Sequence, residues 1–187
     1  SGENFAESYP VNGSTPYAQS KIDAEKLLSK WCDRHNVTLS ILRLPLIAGK
    51  NPPGNLGDMI KAISAGKYLN IAGGLAKKSV VMAEDVASHI LKIAETGGTY
   101  NLSDRYHPNF KEISNVIATQ LGKKTPASLP KFAATLIGKV GDLLGNKAPV
   151  NTSKIQKMIA PLTFNDDKAV RAFNWQPRKV LDSFIIK

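Results

Sequence analysis

Apolar positions near the start of the chain predict a helix followed by a buried strand. After a polar segment at 3–15, a helix is predicted from Pro16 to about His35, with Thr15 as its N-cap. The apolar residues spaced to form one buried face of this helix are Ala18, Ile22, Leu27, Leu28 and Trp31. The run 37–44 is short, apolar and rich in β-branched residues, so it predicts a strand covered on both faces.

The same alternation continues to the end of the chain. Short apolar runs at 79–82 and 99–102 predict two more strands. Helices are predicted at 56–64, 84–94, 109–121 (with Asn109 as its N-cap), 129–144, 152–160 and 166–173. Strands that alternate with helices are typical of α/β proteins, so this fold class is predicted.

The composition indicates a folded protein without disulfide bonds. Apolar residues make up 42% of the 187 residues, which permits a substantial core. Cys32 is the one cysteine, so no intrachain disulfide or cysteine metal site can form, and a reducing, cytoplasmic setting is expected. No signal peptide or membrane-spanning run is recognised. The chain does not begin with Met, so we expect it to be part of a longer protein.

The net charge is +10, and most of the excess lies after residue 122. An anionic partner would explain it: a sugar nucleotide, a membrane surface or nucleic acid, against the alternative of solvated lysines on helices. Nucleic acid is not favoured, because no aromatic and basic interleaving is present. The segment 129–147 is amphipathic, and predicts either a membrane-surface helix or, preferred here, a helix packed on its neighbours.

Tyr17 and Lys21 lie one turn apart in the first predicted helix, on one face. A tyrosine with a reference pKa of ~10 is a poor base at neutral pH, and a nearby ammonium group favours its phenolate. The pair therefore suits acid–base work on a carbonyl or hydroxyl oxygen. The spacing alone is weak evidence, because many helices contain it as a surface pair.

Six segments together carry a resemblance to a known family. The segment Thr15–Glu25 resembles the P-Y-x-x-S-K-x-x-x-E signature of the extended short-chain dehydrogenase/reductase family, which includes sugar-nucleotide epimerases, dehydratases and reductases. Further segments resemble family motifs in the family's order: Ile41–Pro45, Pro53–Leu56, Lys78–Ala87, Gly98–Leu102 and Phe173–Pro177. The chain is identified as a member on this ordered set.

The resemblance implies the C-terminal part of a Rossmann-like parallel sheet plus a small, mainly helical substrate-binding region. Residues 1–50 would be a remnant of the dinucleotide-binding domain, and 51–187 the substrate-binding region, with 78–103 returning to the sheet. The implied cofactor is NAD, with NADP as the alternative. The implied substrate is a nucleoside-diphosphate sugar, and the parent protein is expected to be a homodimer.

The resemblance also implies roles for five residues. Tyr17 would be the catalytic acid/base, and Lys21 would hold the cofactor ribose and bias the phenol. Pro45 would line the nicotinamide. Asn55 would bond the diphosphate or the sugar of the substrate, and Lys78 would meet the diphosphate as a point charge.

The sequence departs from the family pattern in ways that leave the reaction open. It contains no G-x-x-G-x-x-G fingerprint and no catalytic Ser or Thr about two dozen positions before Tyr17. Lys78 stands where arginine is usual, and Leu46 where some epimerases carry asparagine. This chain alone is therefore expected to be inactive and without bound NAD. Its uncovered apolar faces are expected to cause self-association or a repacking of its helices. An epimerase is preferred; a reductase, a dehydratase and a non-catalytic NAD-sensing or scaffolding relative are the alternatives.

The remaining polar candidates are predicted to have structural roles. His35, His89 and His107 are far apart in sequence and share no metal-ligand spacing, so no metal site is predicted. Asp85 is interpreted as a helix-start residue, and Cys32 is expected to be buried and inert.

Overall fold

The computed structural model describes residues 1–144 and 151–186, and in them strands alternate with helices. The strands are β1 (Gly2–Phe5), β2 (Ser40–Arg43), β3 (Leu46–Ala48), β4 (Asn70–Ile71), β5 (Val80–Met82), β6 (Gly98–Asn101), β7 (Ser128–Leu129) and β8 (Leu162–Phe164). The helices are α1 (Pro16–His35), α2 (Gly54–Ser64), α3 (Ala83–Thr96), α4 (Phe110–Gln120), α5 (Lys131–Leu144), α6 (Thr152–Ile159), α7 (Asp167–Phe173) and α8 (Val180–Ser183). Positions 145–147 of the predicted amphipathic segment lie outside the described residues.

The strands associate in four parallel pairs, β1 with β8, β2 with β6, β3 with β5 and β4 with β7. In the longest uninterrupted register, Ser40 is opposite Gly98 and Arg43 is opposite Asn101. Parallel pairing requires a crossover between the partners, and helices supply it here. The predicted α/β class is confirmed.

Helix α1 begins and ends where the sequence predicts. The Thr15 hydroxyl accepts a hydrogen bond from the Ala18 amide, and Pro16 occupies the first turn, where a missing N–H costs nothing. The helix ends at Asn36, which adopts the left-handed conformation (φ 52°) that asparagine tolerates. These caps are local in sequence, so the bounds of α1 follow from it.

The prediction of a buried apolar face on α1 is wrong for the larger residues of that face. Leu27, Leu28 and Trp31 are 69%, 48% and 51% exposed, whereas Cys32 is buried as expected. The physical reason is a lack of covering structure, since no helix or strand within the described residues packs extensively along α1. The apolar side of this helix therefore faces solvent.

Strand β5 lies at the centre of the core. Val80 and Met82 join a cluster with α2, α4 and α8, while Val81 points to the opposite face and joins a cluster with Tyr100 and Trp175. Alternate residues of a strand point to opposite faces, so β5 is buried on both sides. The first cluster also contains residues on both sides of the predicted 50/51 domain boundary, and that boundary stays a prediction.

The chain changes strand partner at Pro45. The sequence predicts that one strand ends here, whereas the structure has β2 paired with β6 before Pro45 and β3 paired with β5 after it. Proline has no N–H to donate to a ladder, so it fits the step between two pairings. The step places residues 44–45 at the carboxyl end of β2.

Candidate active site

Tyr17 and Lys21 lie on one face of α1, close to its amino terminus. The Lys21 ammonium is 5.5 Å from the centre of the Tyr17 ring. Tyr17 is 73% exposed, and neither its hydroxyl nor the ammonium has a hydrogen-bond partner in residues 1–144 or 151–186. Both polar groups are thus available to a ligand on the same side of the helix.

An ion pair fixes α1 against the end of strand β2. Arg43 Nη2 lies 2.7 Å from Glu25 Oε2, and Nε lies 3.1 Å from Oε1, which is a two-point contact. The hydrogen bonds that the Arg43 guanidinium donates to Glu25 raise the pKa of Arg43 above its usual value. Arg43 also donates to the carbonyl of Glu7. The helix that carries the dyad is therefore held at the carboxyl end of β2.

The carboxyl ends of β2 and β6 are joined by the segment that precedes α1. The Asn101 amide N–H donates to Glu7 Oε1, and the Asn101 side chain donates to the carbonyls of Phe5 and Asn165. Ligands of open parallel sheets bind at this carboxyl edge. The dyad helix is consequently tethered to the edge at which a cofactor is expected.

Pro45 and Asn55 also follow the carboxyl ends of strands. Pro45 is half-buried, two residues after β2. Asn55 is exposed in the first turn of α2, which follows β3, and its side-chain amide bonds to no residue in the described part of the chain. Their roles toward nicotinamide and substrate remain predictions.

Lys78 lies elsewhere, before the amino end of β5. Its ammonium donates to the carbonyls of Lys157 (3.3 Å) and Ala160 (2.8 Å) and lies 5.5 Å from the Phe110 ring centre. Burial lowers the pKa of Lys78. Its positive charge suits the carboxyl end of α6, whose last carbonyls are otherwise unpaired. No described contact joins it to Tyr17 or Lys21, and one N–H remains for a ligand.

Sequence reasoning missed the partners of three motif residues, Glu25, Arg43 and Asp85. Glu25 and Arg43 stood in separate motifs, and nothing in their spacing indicated that they meet. Asp85 lies in the first turn of α3, as interpreted from the sequence. Its carboxylate accepts from both the amide (2.8 Å) and Nε (2.7 Å) of Arg178, which joins α3 to the C-terminal segment.

A second polar cluster is buried rather than accessible. Ser79 Oγ lies 3.0 Å from His107 Nδ1 and accepts from the Phe164 amide. Burial lowers the pKa of His107 and raises the pKa of both Asp104 and Asp166. Ser79 is 2% exposed, so it cannot meet a substrate. The cluster stabilises the fold, and no metal-holding group of three His, Cys, Asp or Glu occurs across the described ranges.

The geometry agrees with what comparison with known proteins finds. The NAD dependent epimerase/dehydratase family matches residues 1–103, and the chain belongs to this family. A curated relative from Escherichia coli O157:H7, N-acetyl-alpha-D-glucosaminyl-diphospho-ditrans,octacis-undecaprenol 4-epimerase, is 28% identical over 176 residues. That match covers 88% of this chain and 53% of the relative, so the chain spans about half the relative's length.

Solved structures share the fold. The crystal structure of gox2253 superposes with a TM-score of 0.75 at 21% identity, over 97% of this chain and 58% of that one. UDP-glucuronic acid 4-epimerase from Bacillus cereus, in complex with NAD, gives 0.70 at 16% identity, over 97% and 53%. At these identities the likeness establishes a Rossmann-like α/β fold.

The residues present fit one end of NAD. The exposed phenol of Tyr17 and the ammonium of Lys21 lie on one helix face. Polar groups of these two kinds suit the ribose and nicotinamide end of NAD. The glycine-rich cradle for the pyrophosphate does not occur in these 187 residues.

Across residues 1–144 and 151–186, no helix has the length and hydropathy needed to cross a bilayer.

Proposed function

We propose that this chain supplies the catalytic dyad and the substrate-binding part of an NAD-dependent nucleoside-diphosphate-sugar epimerase. The observation that carries the proposal is the Tyr17–Lys21 pair on a helix tied to the sheet by Glu25 and Arg43. Neither polar end of the pair is bonded to any residue that the structure describes. Membership of the NAD dependent epimerase/dehydratase family supports it.

Tyr17 acts as the acid/base of the proposed reaction. Its phenolate oxygen takes the proton of a sugar hydroxyl and returns it to the keto oxygen after the sugar presents its other face. The Lys21 ammonium bonds the cofactor ribose. NAD, when bound, accepts and returns a hydride at the sugar carbon. Pro45 lines the nicotinamide.

Asn55 and Lys78 complete the proposal on the substrate side. The unbonded amide of Asn55 holds the diphosphate or the sugar, and the remaining N–H of Lys78 meets the diphosphate. Residues 1–50 belong to the cofactor-binding part and 51–187 to the substrate-binding part, with 78–103 returning to the sheet. A cytoplasmic homodimer is part of this proposal.

A second substrate class is a sugar carried on a polyprenyl diphosphate. The Escherichia coli relative, 28% identical over 88% of this chain, is named for 4-epimerisation of such a compound. Both classes present a diphosphate next to the sugar, so the same residues serve either. To distinguish the two substrate classes, each compound is supplied to the enzyme and the product is identified. The identity of the product also distinguishes an epimerase from a reductase or a dehydratase.

The test is Tyr17→Phe in a protein that also carries the glycine-rich NAD-binding part. Loss of the hydroxyl removes the proton acceptor, so we expect kcat to fall about 100- to 10,000-fold. Tyr9→Phe is the matched control, because Tyr9 is also an exposed tyrosine in the segment before α1. Near-normal turnover by Tyr17→Phe would refute the assigned role.

NAD binding to the 187-residue chain is a separate part of the proposal. The pyrophosphate contributes much of dinucleotide affinity through a glycine-rich loop and a helix amino terminus. Because the sequence lacks that motif, titration calorimetry should detect no binding at millimolar NAD. A micromolar dissociation constant for NAD would contradict the prediction that this chain does not bind the cofactor. It would not affect the proposed acid/base role of Tyr17.

A further inference from the structure

Helix α5 packs through its smallest side chains. Ala134, Gly138 and Gly141 are buried, and they lie on the side of α5 that faces α6. A Cβ atom added at Gly138 would lie 3.0 Å from both Ile155 Cδ1 and Thr152 Cα, so the two helices approach closely. Among residues 1–144 and 151–186, α5 is therefore packed through its small-residue face.

The large apolar side chains of α5 point outward. Their exposures are 78% for Phe132, 63% for Leu136, 48% for Ile137, 49% for Val140, 88% for Leu143 and 63% for Leu144. Positions 132, 136, 140 and 143 follow helical spacing and form one stripe. A contiguous exposed apolar surface of this kind marks an interaction site rather than an ordinary protein surface.

Positive charge borders the stripe. The exposed residues Lys131 and Lys139 line a shallow depression together with Phe132 and Leu136. Asp142 is the single acidic residue within Lys131–Leu144 and Thr152–Ile159, and it accepts a hydrogen bond from the Thr152 amide at the start of α6.

Two further exposed lysines, Lys154 and Lys157, lie on α6. Helix α5 is thus apolar on its outer face and bordered by Lys131 and Lys139, and the neighbouring helix adds exposed positive charge.

We propose that the outward face of α5 lies in the surface of an anionic lipid bilayer, parallel to the membrane plane. A helix of this pattern buries its apolar side among acyl chains while lysine stems extend to the phosphates. Pairing with a second copy is disfavoured, because a two-fold interface would bring the same lysine-bordered rims together. The inference does not depend on the proposed function.

The experiment is vesicle sedimentation of the 187-residue chain without NAD or sugar. Vesicles of phosphatidylcholine with phosphatidylglycerol are compared with phosphatidylcholine alone, at low and high salt. We expect binding to the anionic vesicles that weakens with salt. The double substitution Phe132→Glu and Leu143→Glu should lower the partition coefficient by about tenfold or more, since it removes apolar area and adds negative charge.

Leu91→Glu is the control, because Leu91 is 76% exposed on α3, away from the stripe. It should bind vesicles as the unmodified chain does, and circular dichroism should show both variants folded. Three results would overturn the proposal: no binding by the unmodified chain, equal binding by the double variant, or a dimer that the double variant dissolves while no chain binds vesicles.

Discussion

Arg43 and Glu25 form a two-point ion pair that joins the end of strand β2 to the helix carrying Tyr17 and Lys21. Both side chains are about one quarter exposed (25% and 26%), so water screens the pair only partly. Glu25, the last residue of the segment that resembles the family signature, thus has a structural role. It fixes the direction of the helix two turns beyond Tyr17.

Glu25→Gln should destabilise the chain by about 1.5–3 kcal/mol, the range for a hydrogen bond to a charged group. The substitution removes the carboxylate that accepts two hydrogen bonds from the Arg43 guanidinium, and Glu7 remains as the other nearby negative charge. Urea unfolding followed by circular dichroism measures the loss. Glu95→Gln is the control, since Glu95 is exposed at the end of α3. Equal stability of Glu25→Gln and the unmodified chain would show that the pair does not hold α1.

The segment Phe173–Pro177 resembles the L-G-W-x-P motif of the extended short-chain dehydrogenase/reductase family, with Asn174 at the glycine position. The backbone conformation of Asn174 explains this exchange. Asn174 caps α7 in the left-handed conformation (φ 56°, ψ 51°), where its amide donates to the Val170 carbonyl. Asn174→Gly should change the free energy of unfolding by less than about 1 kcal/mol, whereas Asn174→Val should cost about 1–2 kcal/mol.

Thermal or chemical denaturation distinguishes the two Asn174 variants. Asn12→Val is a matched control in the exposed polar segment before α1, at a position whose φ is not positive. If valine at 174 cost no more than valine at 12, the conformational argument would fail.

His107 should make stability fall on acidification. Its folded pKa is lowered by burial, so below the ordinary histidine pKa of about 6.5 the unfolded chain takes up a proton before the folded chain does. The stability that neutral His107 contributes is therefore complete above a pH of about 6.5 and is lost as the pH falls through the folded pKa. Over that range the free energy of unfolding falls by at most about 1.4 kcal/mol per pH unit.

His107→Asn tests this directly, because asparagine tolerates the positive φ (55°) at this position. Urea unfolding between pH 7.5 and 5 should show a smaller pH dependence for the variant. The raised pKa values of Asp104 and Asp166 act in the opposite direction, and the charge of His107 lowers both of them. Removing His107 strengthens their opposing effect and so reduces the pH dependence further. His35→Asn is the matched control at an exposed histidine.

The exposed apolar side of α1 should cause self-association of the 187-residue chain. Leu27 and Trp31 are 69% and 51% exposed, one turn apart. Leu27→Glu with Trp31→Glu should lower the mass seen by light scattering at high concentration, while Leu91→Glu should not. A compact monomer for the unmodified chain would count against this expectation.

Much of the helical structure is predictable because helix ends depend on neighbouring residues. At α4 the Asn109 side chain accepts from the Glu112 amide, and the Glu112 carboxylate accepts in turn from the Asn109 amide. This capping box lies within four residues, as does the Thr15 cap of α1. The Tyr17–Lys21 pair is predictable for the same reason, since one helical turn brings it together.

Contacts between distant segments are not predictable from local pattern. Residues 2–5 are mostly polar and predict a loop, yet they form β1 because Asn4 and Gly2 bond to residues 163 and 161. Lys78 was expected at a diphosphate, and its two carbonyl partners lie about eighty residues further along. The stripe of α5 is visible in sequence, but which face packs depends on α6.

The pairing of β1 with β8 sets the order in which the chain can fold. Gly2 is opposite Leu162, so β1 cannot pair with β8 until about 160 further residues have been made. At roughly 5–20 residues per second, translation separates the synthesis of the two strands by about 8–30 seconds. Closing so long a loop also slows folding. Until β8 is made, the edge of β1 that it will cover is open to pairing with other chains, which is an aggregation risk that chaperones limit.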